Sequence, residues 1–276
     1  MALVEVKDVC VTYQRAGRAG RRGGPPRYAV QDVSLSVRQG EIVGVVGESG
    51  SGKTSLARCV AGYRTATSGT VEIDGRVVTA RRGTHDRRRV QMVFQDPYAS
   101  LNPRMTVRQT LREPVVVHGL RAAGRVEARV EELVDLVGLD RRYLDSRPRQ
   151  LSGGQRQRAS IARALALEPE VLVADEPVSA LDVSVQATVL NLLADLRERL
   201  GMSILFISHD IAVVSHLCDR VVVMSQGRVV ETGPVDEVFL RPEHPYTRQL
   251  LSAVPPHPWS GHPLPTSGAP RPDPGH

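Results

Sequence analysis

Residues 47–54 read GESGSGKT, a match to the pattern GxxxxGK[ST]. Glycines keep side chains out of such a loop, so successive backbone N–H groups can converge on phosphate oxygens. Lys53 has the length and charge to reach the β- and γ-phosphates of a nucleotide, and the Thr54 hydroxyl can ligate Mg²⁺. A second group lies in VLVADEP (171–177). There an apolar run delivers two carboxylates at its end. Asp175 suits Mg²⁺, directly or through water. Glu176 is placed to polarise an attacking water as a general base. Together the two groups describe binding and hydrolysis of a nucleoside triphosphate.

Such groups need a scaffold that holds them face to face. EIVGVV (41–46) is a continuous apolar run, the pattern of a strand buried on both faces. SLARCVAGY (55–63) has helical spacing, so the glycine loop sits between a strand and a helix. VLVAD (171–175) and SILFIS (203–208) read as further buried strands. RRVQMVFQD (88–96) reads as a short one. LVEVKDVCVTY (3–13) and AVQDVSLSV (29–37) alternate instead. TVEIDGRVV (70–78) reads as a hairpin turning at Asp74-Gly75, and RVVVM (220–224) with RVVETG (228–233) as a last strand pair. Helical spacing fills 106–145, 154–166, 183–200 and 211–218, with Gly201 as a helix stop. Strands alternating with helices imply an α/β sheet, interrupted by a helical stretch. The segment RAGRAGRRGGPPR (15–27) reads as an exposed loop. Eight prolines in the last 22 residues exclude helix or sheet from the tail.

LSGGQRQR (151–158) supplies a second glycine-rich helix start, and hence a second anion site in one chain. A single nucleotide needs one such cradle. With LSGGQ intact at Leu151–Gln155, the chain resembles the ATP-binding-cassette (ABC) ATPases over roughly residues 3–256. The resemblance implies a P-loop NTPase (RecA-like) core with an antiparallel β subdomain and an inserted α-helical subdomain. It implies two cassettes facing head to tail. Leu151, Ser152, Gly153, Gly154 and Gln155 of each would then cap the γ-phosphate bound by Gly47, Glu48, Ser49, Gly50, Ser51, Gly52, Lys53, Thr54 and Ser55 of the other. Gln95 matches the glutamine that contacts Mg²⁺ and water. That makes Thr54, Gln95 and Asp175 the expected metal set, and Glu176, His209 and Gln95 the expected catalytic set. Asp182, in SALD (179–182), falls near the dimer interface. Tyr13 resembles the aromatic that stacks on adenine. The implied division is 1–95 for the β subdomain and first part of the core, 96–160 for the helical subdomain, 161–240 for the second part of the core, 241–256 for a C-terminal extension and 257–276 for a proline-rich tail.

Two further stretches narrow the resemblance. FQDPYASLNPRMTV (94–107) and HPYTRQLLSAVP (244–255) look like segments of importers for oligopeptides, dipeptides and nickel. By that likeness the cofactors are ATP and Mg²⁺. Some relatives carry an iron–sulfur cluster in the extension; with no cysteine after Cys218, none is expected here. His216 and Cys218 read as packing, not as metal ligands. No apolar run approaches the roughly 18–20 residues of a membrane helix, and MALVEVKDVC is unlike a signal peptide. Separated cysteines suit a reducing compartment. The expected place is the cytoplasmic face of a prokaryotic cell membrane. The expected partners are two transmembrane permease subunits, a second ABC ATPase subunit (paralogue or self) and, indirectly, an extracytoplasmic solute-binding protein. Tyr98, Leu101 and Met105 are candidate contacts to the permease. The net charge of +6 comes almost wholly from arginine, since Lys7 and Lys53 are the two lysines. It leaves a soluble ABC-type ATPase acting on nucleic acid or ribosomes as the alternative. The peptide-importer segments argue against that alternative, and no nucleic acid partner is expected. A non-hydrolysing regulatory subunit would expect a substituted Glu176 or His209, and neither is substituted.

Overall fold

In the computed structural model, residues 2–13, 27–78 and 84–253 are described; the loop expected at 15–27, apart from Arg27, and the tail expected at 257–276 lie outside them. The chain runs β1 (Ala2–Tyr13), β2 (Arg27–Arg38), β3 (Ile42–Val46), α1 (Lys53–Val60), β4 (Ser68–Ile73), β5 (Arg76–Val78), α2 (Thr84–Arg89), β6 (Val90–Val93), α3 (Pro97–Ser100), α4 (Val107–Val117), α5 (Val126–Leu136), α6 (Gly153–Leu165), β7 (Val171–Asp175), α7 (Val183–Leu200), β8 (Ser203–Ile207), α8 (Ile211–Leu217), β9 (Arg220–Ser225), β10 (Arg228–Pro234), α9 (Val235–Leu240) and α10 (Pro245–Ser252).

The strands form two sheets. One has four strands in the order β2-β1-β4-β5, and its pairs are antiparallel. The other has six in the order β10-β9-β3-β8-β7-β6. Its strands are parallel from β9 to β6, with β10 antiparallel at one edge. Every residue of β3, β7 and β8 is buried, as their continuous apolar runs require. Side chains alternate between two cores. Val43, Val45, Val173 and Leu205 pack with Leu56 and Val60 of α1 and with the antiparallel sheet. Ile42, Val46, Leu172, Ile204 and Phe206 pack with Ile161 of α6, Leu193 of α7 and Val214 of α8. Leu111 and Val115 of α4 and Val130 and Leu133 of α5 extend that second core. Each such buried side chain contributes about 1.5–3 kcal/mol.

Several differences from the sequence reading have local causes. α1 begins at Lys53, two residues early, because Gly52 takes a left-handed φ of 104° and hands the chain straight into the helix. The strand read at 88–96 shortens to β6, since the Arg-rich segment before it closes as α2, with Arg87–Arg89 at its carbonyl end. α9 had no counterpart in the reading; its signal was Asp236 and Glu237 in the first turn after Pro234. His216 is exposed and so is not a packing residue, whereas Cys218 is buried. Among the described residues no helix is long and apolar enough to cross a membrane.

β3 is pinned at its start, where the Ile42 amide donates to Asp219 Oδ2 at 2.8 Å and Arg197 pairs with the same carboxylate at 3.2 Å. Midway, Gly44 lets α8 approach closely. A Cβ there would lie 2.6 Å from Val214 Cγ1 and 3.0 Å from Cys218 Sγ. Gly44→Ala should therefore overpack the sheet–helix contact and lower stability by about 1–3 kcal/mol. Urea unfolding of the variant against the parent checks this, and an unchanged midpoint would refute it.

Candidate functional site

Four parallel strands, adjacent in the order β3-β8-β7-β6, end on the same side of the sheet. Open α/β sheets bind ligands at that edge. Here the strand ends deliver the glycine loop after β3, His209 after β8, Asp175 and Glu176 at the end of β7, and Gln95 after β6. They surround a groove of about 1160 Å³ lined by Tyr13, Ser49, Gly50, Gly52–Ser55, Gln95, Glu176 and His209.

The loop is held from outside as much as by its own turns. The Ser51 amide donates to Glu48 O at 3.2 Å, and the Gly227 amide donates to Ser51 O at 3.0 Å. At Gly52 a Cβ would meet the Ala29 carbonyl oxygen at 2.2 Å, so both the φ and the close approach of β2 demand glycine. No side chain caps α1. Its first-turn amides are left for an anion, and the positive end of the helix favours one.

Lys53 is buried, and its Nζ donates to Gly47 O at 2.7 Å and Glu48 O at 2.8 Å. Burial pushes its pKa below the usual lysine value, against the pull of Glu176, Asp175 and Glu48. Asp175 is 2% exposed and accepts from Thr54 Oγ1 at 3.1 Å. Burial raises its pKa; the Thr54 bond, Arg58 and Lys53 oppose that, while Glu176 adds to it. A cation placed beside this carboxylate would offset the burial penalty and favour its charged form. Because Thr54 donates its proton to Asp175, its oxygen lone pairs face elsewhere. With the Gln95 amide nearby, the donors are all hard oxygens, which fit Mg²⁺.

Glu176 sits in the left-handed region at φ 46°, uncommon for a side chain of its size. Its amide is held by Ile207 O at 3.0 Å. The carboxylate is only 15% exposed. Gln95 Nε2 donates to its Oε2 at 2.9 Å, and His209 Nδ1 lies 3.2 Å from the same oxygen. Among the described residues Oε1 carries no such bond. Three residues far apart in sequence are thus linked around one carboxylate with an oxygen left over.

Tyr13 lines the groove, its hydroxyl 3.1 Å from Ser55 Oγ. The Arg64 guanidinium covers one ring face at 3.8 Å, a cation–π contact. Arg27, Tyr28, Ala29, Gln226 and Gly227 also line the groove, and motif reading missed them. They belong to the start of β2 and the β9–β10 turn, which carry no phosphate-binding pattern. Gly47, Glu48 and Ser51 support the loop without lining the groove, and Asp175 lies beneath it.

Leu151–Gln155 and Asp182 do not line this groove. Ser152 caps α6, accepting from the Gln155 amide at 3.3 Å while Gln155 Oε1 accepts from the Ser152 amide at 2.8 Å. Asp182 opens α7 and is exposed. Of the candidate partner contacts, Tyr98 is exposed and accepts from Arg149 Nε at 3.0 Å. Met105 is half-buried, whereas Leu101 is buried in the core of the helical segment and cannot meet a partner.

A family profile described as ABC transporter matches residues 30–179, more than half of the chain. The chain belongs to the ABC transporter family. A second profile, the C-terminal region of oligopeptide/dipeptide transporters, matches residues 230–273 of this cassette. Among curated proteins the cassette is 46% identical over 258 residues to the oligopeptide transport ATP-binding protein OppF of Streptococcus mutans, covering 92% of this chain and 82% of that one. Among solved structures it superimposes on the ATP-binding cassette MJ0796, a dimer bound to ADP and Pi, with a TM-score of 0.73 and 30% identity. That match covers 84% of this cassette and 98% of MJ0796. It also matches cbiO1 of Clostridium perfringens, part of the transporter complex cbiONQ, with a TM-score of 0.75, 28% identity and coverage of 87% and 91%. The cassette is an ABC ATPase, with the α/β P-loop fold its motifs imply.

Proposed function

We propose that this chain is the ATP-binding and hydrolysing subunit that energises an importer of peptides or related small solutes. The observation that carries the reading is the convergence of Lys53, Thr54, Asp175, Gln95, Glu176 and His209 on one groove in a chain whose C-terminal region matches oligopeptide/dipeptide transporters. The likeness to OppF supports import over action on nucleic acid or ribosomes.

ATP binds with its adenine on the Tyr13 ring and its phosphates on the loop amides of Ser49, Gly50 and Gly52–Ser55. Lys53 leaves the Gly47 and Glu48 carbonyls and turns to the β- and γ-phosphates. Thr54, Asp175 and Gln95 would hold Mg²⁺, which when bound would neutralise phosphate charge. Glu176 Oε1 takes a proton from water as that water attacks the γ-phosphorus and the bond to the ADP oxygen breaks. Gln95 and His209, both on Oε2, hold the carboxylate in place. Catalysis is then mostly positioning and charge stabilisation. A second cassette subunit, self or paralogue, supplies Leu151–Gln155 and Asp182 to complete the site, consistent with their position off the groove within one chain.

In this reading the cassette works at the cytoplasmic face of the membrane with two permease subunits, fed by an extracytoplasmic binding protein. Residues 96–160 act as the helical subdomain between the two parts of the core. Tyr98 and Met105 remain the permease contacts. The test is a mild-detergent pull-down of tagged Glu176→Gln with Mg-ATP from native membranes. Two permease subunits and a second cassette are the expected catch. Ribosomes or nucleic acid without any membrane protein would overturn import.

A further inference from the structure

Helix α10 reaches the phosphate loop. The Glu48 amide donates to the Tyr246 hydroxyl at 3.0 Å, across 198 residues of sequence. We propose that Tyr246 is a positioning residue for ATP binding, holding the Gly47–Glu48 peptide so that the C-terminal extension forms one wall of the loop. The inference rests on the reading of residues 47–55 as the ATP cradle.

The geometry of one peptide unit carries the argument. The carbonyl of the Gly47–Glu48 peptide accepts from Lys53 Nζ at 2.7 Å, and its N–H donates to Tyr246. No peptide bond in the described chain is cis, so these two groups point to opposite sides. The peptide is thus held between an ammonium on one side and a phenol on the other. Glu48 does not line the groove, and its N–H is taken up by Tyr246. When Lys53 turns to a phosphate, the carbonyl loses its partner. Tyr246 is then the hold that remains.

The phenol is itself fixed by its surroundings. Glu231 on β10 accepts from the backbone amides of Glu243 at 2.9 Å and His244 at 3.1 Å. These bonds anchor the start of α10. His244 caps the helix, its Nδ1 accepting from the Tyr246 amide at 3.1 Å, with Pro245 in the first turn. The Tyr246 ring packs on the same core as Phe239 and Leu250. A tyrosine held at its backbone and its ring delivers its hydroxyl with little freedom left to lose. That is what makes a single neutral hydrogen bond effective.

Tyr246→Phe removes one oxygen and keeps the packed ring. Two measurements on the full-length chain test it. The first is the amide exchange of the peptide spanning residues 45–52 without nucleotide, followed by mass spectrometry. The second is the Kd for ATP by titration. The expected results are faster exchange confined to that peptide and a roughly three- to tenfold weaker Kd, the range for one lost neutral hydrogen bond. Unchanged exchange and Kd would overturn the proposal and leave Tyr246 a packing residue. Faster exchange throughout the chain would make the effect one of general stability and overturn it as well. If the parent chain itself fails to bind ATP, the cradle reading fails first, an outcome distinct from parent binding with an indifferent Tyr246→Phe.

Discussion

Glu176→Gln should bind Mg-ATP as tightly as the parent and lose turnover by about two to four orders of magnitude, the usual worth of a positioned general base. The substitution keeps the size and shape of the side chain. Its amide oxygen can still accept from Gln95 Nε2, now at 2.9 Å from Glu176 Oε2. What it cannot do is take a proton from water. Binding depends on groups the change does not touch, namely the loop amides, Lys53 and the Thr54–Asp175 pair. The ATP-loaded variant should also accumulate as a dimer, because the step that reopens the closed pair is missing. Single-turnover hydrolysis of labelled ATP, with size-exclusion chromatography of the same sample, reads both effects. Turnover within tenfold of the parent would remove Glu176 from its assigned role and pass the base function to another group on the groove.

Lys53→Ala should weaken ATP binding by about ten- to a hundredfold, because hydrogen bonds to charged groups contribute about 1.5–3 kcal/mol. The fold should survive. The ammonium is buried, and burial already depresses its pKa, so its removal relieves a desolvation cost. Against that, the Gly47 and Glu48 carbonyls lose a donor. The two effects oppose one another, and the melting temperature should move by only a few degrees. Calorimetric titration with Mg-ATP and a thermal melt of the free protein separate the two quantities. An unchanged Kd would mean that the phosphates bind elsewhere, whereas a collapsed melt would show that Lys53 is chiefly a structural tie. Tyr246→Phe acts on the other side of the same peptide, so its expected effect is smaller and of the same kind.

Much of this molecule is legible along the chain. GESGSGKT, LSGGQ and VLVADEP each carry their chemistry within eight residues or fewer. Backbone sterics and the next few hydrogen bonds decide such segments, whatever surrounds them. The continuous apolar runs at 42–46, 171–175 and 203–207 could only become strands covered on both faces, and they did. The Asp74-Gly75 turn likewise required nothing distant: both residues take positive φ, at 53° and 71°, as the tight hairpin between β4 and β5 demands. Family likeness extended that local reading to Gln95, His209 and Asp182, which spacing alone would not single out.

Other features were decided only when the sheet assembled. That Gln95 and His209 meet on the same oxygen of Glu176 follows from β8, β7 and β6 lying side by side in register. Arg27, Tyr28, Ala29 and Gln226 reach the groove because the antiparallel sheet leans on the edge of the parallel one. Leu101 turns inward where a surface contact was expected, because the helical segment needed it for its core. Tyr246 meets Glu48 because β10 carries the last helix back to the mouth of the loop. The division has one physical source. Backbone conformation is set by neighbours in sequence, so motifs and element types are written locally. Which side chains touch is set by strand order and packing, and those are settled only by the burial of the whole apolar surface at once.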